Sequence, residues 1–408
     1  MPLLPLPAKI AANSQICVTA LAPMQDVTDR WFMKVVAEYG APDYFFTEFL
    51  RVHETSRIDK NILAAITQNE TNRPIFAQMI GEDVSALVRI ARELCQHNIA
   101  GIDLNLGCPA PRVYRKNVGG GLLRDPEQVD RILGALRQAV ELPLTVKMRL
   151  GFESSSDMTE IIKLVNRHQI DLLSVHGRTV KEMYRGSVNY QLIRQAVQEA
   201  NCPVLANGNI QSGMQSIDIL EQTKAAGVMV GRWAIGNPWI FRQIRQAQLG
   251  EPLTSPTFGD VRNYIDRLWE NPAISLDRGR LGYLKMFLNY VGQNIDPEGL
   301  FLSQMRQTQT PQEFFAVCDR TLLQEPQQPF ALAPYLAHVA SWRTQNIWGK
   351  ISSGGSELDQ AVDMSVAIEN AIQSFQDGFY YVFIRKLGKN PALQGGFVGT
   401  NEVKPSTH

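Results

Sequence analysis

The most chemically loaded stretch of this chain is Asp103-Leu-Asn-Leu-Gly-Cys-Pro109 and the loop that follows it to Leu123. An apolar run carrying Asp103 and Asn105 ends in a Gly-Cys-Pro turn. Arg112, Arg115 and Lys116 come next, then three glycines, Gly119 to Gly121. A strand that delivers one cysteine to a flexible, basic loop suits an anionic substrate better than it suits a core. Cys108 could act there as a nucleophile or as a proton donor, because a thiol ionises close enough to neutrality to give up a proton. Most cysteines are small buried hydrophobes, and Cys17, Cys95 and Cys202 read that way. The glycine- and arginine-rich setting separates Cys108 from them.

Two further groups could work with it. Lys147 lies in a mostly apolar run with Leu144, Val146 and Met148, and His176 ends another such run. The pair could stabilise negative charge on a bound ring, of which a reduced flavin is one example. A Schiff-base lysine is the alternative, but it leaves Cys108 without a task. Asn207-Gly208-Asn209 and Gly231-Arg232 are glycine turns of the kind that let backbone N–H groups approach a phosphate, with Arg232 as a charged partner.

These residues need a scaffold that brings them to one place. Strands are expected at 17–24, 44–49, 75–80, 101–106, 144–149, 172–176, 204–207 and 227–230. Helices are expected between them near 28–39, 83–97, 126–139, 157–168, 189–200, 212–222 and 237–247. This alternation implies an α/β fold, a (β/α)8 barrel over residues 1–250. An open doubly wound sheet competes, but no GxGxxG follows the first strand. Seven of the eight strands end in polar residues (Met24-Gln25, Glu48, Gln78, Asn105, Lys147 with Arg149, His176, Asn207), as a barrel's catalytic face requires. After the link Glu251–Pro256 the pattern turns helical, near 258–270, 277–294 and 311–323, giving a small all-helical domain over 251–325. Residues 326–408 read as a helical extension, with helices near 333–349 and 357–386 and a flexible tail from Gly388.

Composition narrows the function classes. The chain carries 40 basic and 40 acidic side chains, so no global field draws a polyanion, and any nucleic-acid partner must be held by local patches. Residues 251–325 hold 7 basic against 10 acidic groups, a net −3. Five scattered cysteines suggest neither a disulfide framework nor a metal site, and fit a reducing, cytoplasmic compartment. No apolar run is long enough to span a bilayer and no signal peptide is evident, so a soluble protein without membrane partners is expected, acting as a monomer.

Nine motifs occur in the order found in the tRNA-dihydrouridine synthase family: Ala22-Pro-Met24, Thr47-Glu-Phe49, Ala77-Gln78 with Gly81, Asp103–Pro109, Gly119–Leu123, Val146–Arg149, Val175–Arg178, Asn207-Gly208 and Gly231-Arg232. The chain resembles that family over residues 17–325, and its Thr47–Val52 run is most similar to the bacterial C-type branch. The resemblance implies an oxidoreductase that reduces the 5,6 double bond of specific tRNA uridines, with FMN as cofactor and NADPH (or NADH) as reductant. It places Pro23, Met24, Gln25, Gln78, Lys147 and His176 on the flavin ring, and Asn207, Gly208, Asn209, Gly231 and Arg232 on its phosphate. It makes Cys108 the proton donor on a loop that closes over RNA as a lid. Asn105, Arg149 and Arg178 would surround the uracil or its phosphate, and Arg112, Arg115 and Lys116 would meet the RNA backbone. The helical domain would hold tRNA, despite its net negative charge. The alternative is an FMN barrel reducing a free pyrimidine or another small enone; a binding protein that has lost catalysis is disfavoured by the intact Cys108, Lys147 and His176.

Overall fold

The computed structural model describes residues 17–296 and 298–330, to which the structural statements below refer. The helices expected near 333–349 and 357–386 and the tail beyond them lie outside these residues. The strands are β1 (Val18–Leu21), β2 (Phe45–Phe46), β3 (Leu50–Arg51), β4 (Ile75–Ile80), β5 (Gly101–Leu106), β6 (Leu144–Arg149), β7 (Leu172–His176), β8 (Val204–Asn207) and β9 (Gly227–Val230). All pair in parallel, in the order β1-β9-β8-β7-β6-β5-β4-β2, and β3 also pairs with β4. A parallel bridge between Ala20 and Tyr44, with Leu21 N–H donating to the Tyr44 carbonyl at 3.1 Å, joins the two ends of that order. The result is the (β/α)8 barrel that the alternation implied.

The pleat decides what fills the barrel. Successive side chains on a strand face opposite sides, so one parity faces helices and the other faces inward. Val18, Ala20, Tyr44, Phe46, Phe76, Leu172, Leu205 and Met229 belong to one buried apolar cluster, with Phe46 stacked on Phe76 at 5.0 Å or less (4.9 Å). Two residues further along the same parity lie Gln78 after Phe76, Ser174 and then His176 after Leu172, and Asn207 after Leu205. An apolar plug therefore fills the lower barrel and a polar layer the C-terminal mouth.

The surrounding helices are α1 (Arg30–Gly40), α2 (Lys60–Thr67), α3 (Val84–Leu94), α4 (Pro111–Tyr114), α5 (Pro126–Ala139), α6 (Met158–Arg167), α7 (Tyr190–Glu199), α8 (Gly213–Thr223), α9 (Trp233–Gly236) and α10 (Ile240–Leu249). Several start on the residue types that satisfy free helical N–H groups, such as Asp29, Asp83, Asp125, Asn189 and Ser212, each side chain accepting from a first-turn amide. The helix α2 was not anticipated from the sequence.

Beyond Gly250 come α11 (Phe258–Trp269), α12 (Asp277–Ile295), α13 (Leu300–Gln307, also unanticipated) and α14 (Pro311–Leu322). Thr257 and Thr310 open α11 and α14 with reciprocal capping boxes to Asp260 and Glu313. These helices share a core with the barrel. Phe287 on α12 meets Phe32 on α1 at 5.0 Å, and the Tyr264 hydroxyl donates to the Ile235 carbonyl at 3.0 Å. Trp31 Nε1 donates to the Arg267 carbonyl at 2.8 Å, while Arg267 pairs with Glu38 at 2.6 Å. Because Phe287 is 1% exposed at this joint, Phe287→Ala should cost about 3–5 kcal/mol in chemical denaturation. Unfolding should remain one transition; a separate early step for the helical region would show that the two parts do not share a core.

Candidate active site

The second barrel strand, expected as one run over 44–49, is broken. Phe46 pairs with Phe76 and Leu50 with Met79, so four steps along one chain match three along β4. One extra residue must bulge out. Thr47 repairs the ladder: its N–H donates to the Phe76 carbonyl at 3.0 Å, and its hydroxyl accepts the Gln78 N–H at 3.1 Å. The bulge turns Glu48 toward the β1–α1 loop, where the backbone N–H groups of Asp26 and Val27 reach its carboxylate. That loop carries Pro23 and Met24, both half-buried, and exposed Gln25. The Thr28 hydroxyl, which receives the Met24 N–H at 2.9 Å, holds it in shape.

Cys108 sits in a turn fastened from several sides. Asn105 Oδ1 accepts the N–H groups of Gly107 and Cys108 at 3.0 and 2.9 Å. Asn105 Nδ2 donates to Gln78 Oε1 at 2.9 Å, and Gln78 Nε2 donates to Asp103 at 2.6 Å. Arg149, only 3% exposed, donates through Nε to the Gly107 carbonyl at 3.0 Å and through Nη1 to the carbonyls of Thr179 and Met183. The Gly120 N–H reaches the Cys108 carbonyl at 3.3 Å. Gly119 to Gly121, expected to be flexible, are buried in a 3-10 helix over Gly119–Arg124. A Cβ on Gly120 would lie 2.6 Å from Val180 and 2.8 Å from the Cys108 carbonyl oxygen. These glycines are there for close packing around the cysteine rather than for mobility. The side chain of Cys108 itself is half-buried.

Across the mouth, strand register brings the remaining residues level: Asn105 opposite Lys147, Arg149 opposite His176, and His176 opposite Asn207. Lys147 Nζ donates to Asn207 Oδ1 at 3.2 Å, and Asn207 Nδ2 donates to the Met229 carbonyl at 2.7 Å. Burial, with Arg149 adding repulsion, brings the Lys147 ammonium down to about 8. His176 is pushed well below the usual imidazole range by burial and by Arg149, Lys147, Arg178 and Arg232, so it is neutral near pH 7. Its buried Nδ1 has no hydrogen-bond partner, and the same holds for the Nδ2 of Asn209. Gly208 and Asn209 both take positive φ, +123° and +46°, and the Tyr190 hydroxyl donates to the Gly208 carbonyl at 2.8 Å. Arg178, 1% exposed, donates to Asn209 Oδ1 at 3.3 Å. Gly231 is open: a Cβ there would approach nothing closer than Ala22 at 3.7 Å.

The sequence that builds this barrel mouth is similar to known proteins. The family model for dihydrouridine synthase (Dus) matches residues 20–326. The chain belongs to the dihydrouridine synthase family. Two relatives are the tRNA-dihydrouridine synthases B of Proteus vulgaris and Vibrio vulnificus (strain CMCP6). The first is 34% identical over 62% of this chain and 78% of its own length. The second is 30% identical over 79% of this chain and 96% of its own. Both names carry the B designation, not that of the C-type branch expected from the Thr47–Val52 run. Among solved structures, a 2-naphthoyl-CoA reductase complex aligns with a TM-score of 0.46 at 12% identity, covering 57% of this chain and 50% of that one.

In this dihydrouridine synthase, Pro23, Met24 and Gln25 follow β1 and Gly231 and Arg232 follow β9, while the other residues singled out from sequence fall into three groups. Gln78, Asn105, Cys108 and Arg149 form one hydrogen-bonded cluster, and Lys147, His176, Asn207, Gly208, Asn209 and Arg178 line a second part of the mouth. Arg112, Arg115 and Lys116 are exposed on α4 and the turn after it. Glu48 received no role from sequence, although it stands at a strand end; the signal was the acidic side chain in an otherwise apolar run. Burial and the nearby Asp29 and Asp26 raise its carboxyl from 4.5 to about 7, and its Oε1 is buried without a partner. Between those two values the folded protein keeps a proton that the unfolded chain has released, so stability falls as pH rises through the window. Glu48→Gln removes this loss. Relative to wild type, the variant should gain about 1–3 kcal/mol between pH 5 and pH 8 in urea denaturation, and a pH-independent difference would show that Glu48 is ionised throughout.

Proposed function

We propose that this enzyme reduces the 5,6 double bond of particular tRNA uridines to dihydrouridine, with FMN in the barrel mouth, NADPH as reductant and Cys108 as proton donor. The observation that carries the reading is the charge pattern: Lys147, Arg149, Arg178 and Arg232 all bear on one buried, neutral His176. Such a mouth favours an anionic ligand. The donor set fits FMN. Buried His176 Nδ1 and Asn209 Nδ2 lack partners, and the loops after β8 and β9 stand where barrels of this class bind phosphate. Lys147 and His176 would hold the ring edge, Asn207, Gly208, Asn209, Gly231 and Arg232 the phosphate, and Pro23, Met24, Gln25 and Gln78 the ring's flank.

Reduced flavin supplies the hydride that adds to one carbon of the double bond. The negative charge this leaves on the uracil must be quenched by a proton at the other carbon. Cys108 would give it, a reading supported by the closeness of its turn to Lys147, on whose charge it bears. Water afterwards returns a proton to the thiolate. Asn105, Arg149 and Arg178 would surround the uracil or its phosphate; Arg149 would act through the backbone carbonyl of Gly107, to which its Nε donates. Exposed Arg112, Arg115 and Lys116 would take RNA phosphates, and the helical region over 251–325 would hold the body of the tRNA. Extruding the base costs a few kcal/mol, which those contacts must offset.

Cys108→Ala should keep its bound FMN and its NADPH oxidation while reducing uridine in tRNA about 100-fold or more slowly. Mass spectrometry of tRNA from a strain lacking the gene, with and without its restoration, tests the reaction itself. A +2 Da uridine must appear on restoration with the wild-type gene. If none does, the enzyme acts on something other than tRNA.

A further inference from the structure

We propose that Asp103, a buried residue three hydrogen bonds away from Cys108, is a positioning residue that sets the direction of the Gln78 and Asn105 amides and thereby holds the Cys108 turn. The inference rests on the reading of Cys108 as proton donor, but it is built from hydrogen-bond polarity alone. An ionised carboxylate only accepts. Gln78 must therefore turn its NH2 toward Asp103, at 2.6 Å, which leaves its Oε1 facing Asn105. Asn105 must then present Nδ2 to that oxygen, at 2.9 Å, which leaves Oδ1 facing the turn. Only in that orientation can Asn105 accept the N–H groups of both Gly107 and Cys108. Reverse Asn105, and its NH2 would confront two N–H donors; reverse Gln78, and its oxygen would confront the carboxylate. The carboxylate thus decides an orientation that neither amide can decide for itself.

Asp103 has no exposed surface, and its other oxygen accepts from the Thr145 hydroxyl at 2.5 Å. Burial raises its carboxyl to about 6, against the pull of Gln78, Thr145 and Lys147. If it takes up a proton, the Thr145 side can accept it while the Gln78 side stays an acceptor, so the relay keeps its direction. A buried carboxylate is costly, and an apolar residue would fill the space between β4 and β6 equally well. Its use here is the polarity it imposes.

The test reads the turn directly. Amide hydrogen exchange at Gly107 and Cys108 should rise about 5- to 10-fold in Asp103→Leu, the loss of about one net hydrogen bond. Asn105→Ala should show the same rise, and combining the two should add nothing further, because both cut one chain. Asp103→Asn can still offer its oxygen to Gln78 and its NH2 to the Thr145 oxygen, so it should keep wild-type exchange. Should Asp103→Leu fail to fold, Gln78→Leu breaks the same chain one link on and is read in its place. Unchanged exchange in the folded chain-breaking variant, additive effects in the double variant, or equal loosening in Asp103→Asn would each overturn the proposal. Because exchange is read without substrate, this outcome is independent of whether Cys108→Ala stops uridine reduction.

Discussion

The concentration of positive charge at the barrel mouth is the constraint to which the rest of the site answers. Lys147, Arg149, Arg178 and Arg232 all press on His176, and Arg149 also disfavours the charge on Lys147. Like charges held this closely in a partly desolvated place are destabilising unless each is met by an acceptor. Several of these donors meet neutral acceptors. Arg149 is given three backbone carbonyls, Arg178 the Asn209 amide oxygen, and Lys147 that of Asn207. Dipoles satisfy donors without cancelling the field.

The same choice explains the role of Asp103. Among the groups acting on Lys147, it is the one carboxylate, and its two oxygens are bonded to Gln78 and Thr145 rather than to a cation. It tempers the lysine from a distance while its directional effect goes through Gln78 to Asn105. The amides between the carboxylate and the cysteine turn thus carry orientation rather than charge. Arg149 closes the arrangement from β6 by holding the Gly107 carbonyl, so the N–H side and the C=O side of one turn are fixed by two adjacent strands.

Much of this was legible in the sequence, for a physical reason. The strands β4 to β8 coincide with apolar runs that carry a polar residue near the end, because a parallel barrel strand is buried on both faces until it reaches the mouth. Gly101–Leu106, Leu144–Arg149 and Val204–Asn207 needed no other signal. The second strand was read as one piece because a bulge is a one-residue mismatch with a partner, and a single sequence does not display its partner. The glycines 119–121 were read as loose, since sequence reports only the absence of Cβ; that Val180 and the Cys108 carbonyl occupy the space is a tertiary fact. Arg149 and Arg178 were placed around the uracil or its phosphate by the family resemblance. Which acceptors a guanidinium meets depends on loops distant in sequence, such as those carrying Thr179 and Asn209.

The clamped turn also relocates the moving part of the site. With both its N–H groups, its carbonyls and its glycine neighbours engaged, the Gly107–Cys108 segment would have to break several hydrogen bonds to travel as a lid. Those bonds are individually worth about 1 kcal/mol net but are shared by one short segment, so displacing it is a concerted loss. The basic residues, by contrast, stand outside the clamp: Arg112, Arg115 and Lys116 are exposed on a single helical turn and the residues just after it. On the proposed reading, RNA would draw those side chains to its phosphates without shifting the thiol. A proton donor works best when its distance to the reacting carbon is fixed before substrate arrives, and this division leaves adjustment to long, solvated side chains while the cysteine keeps its place.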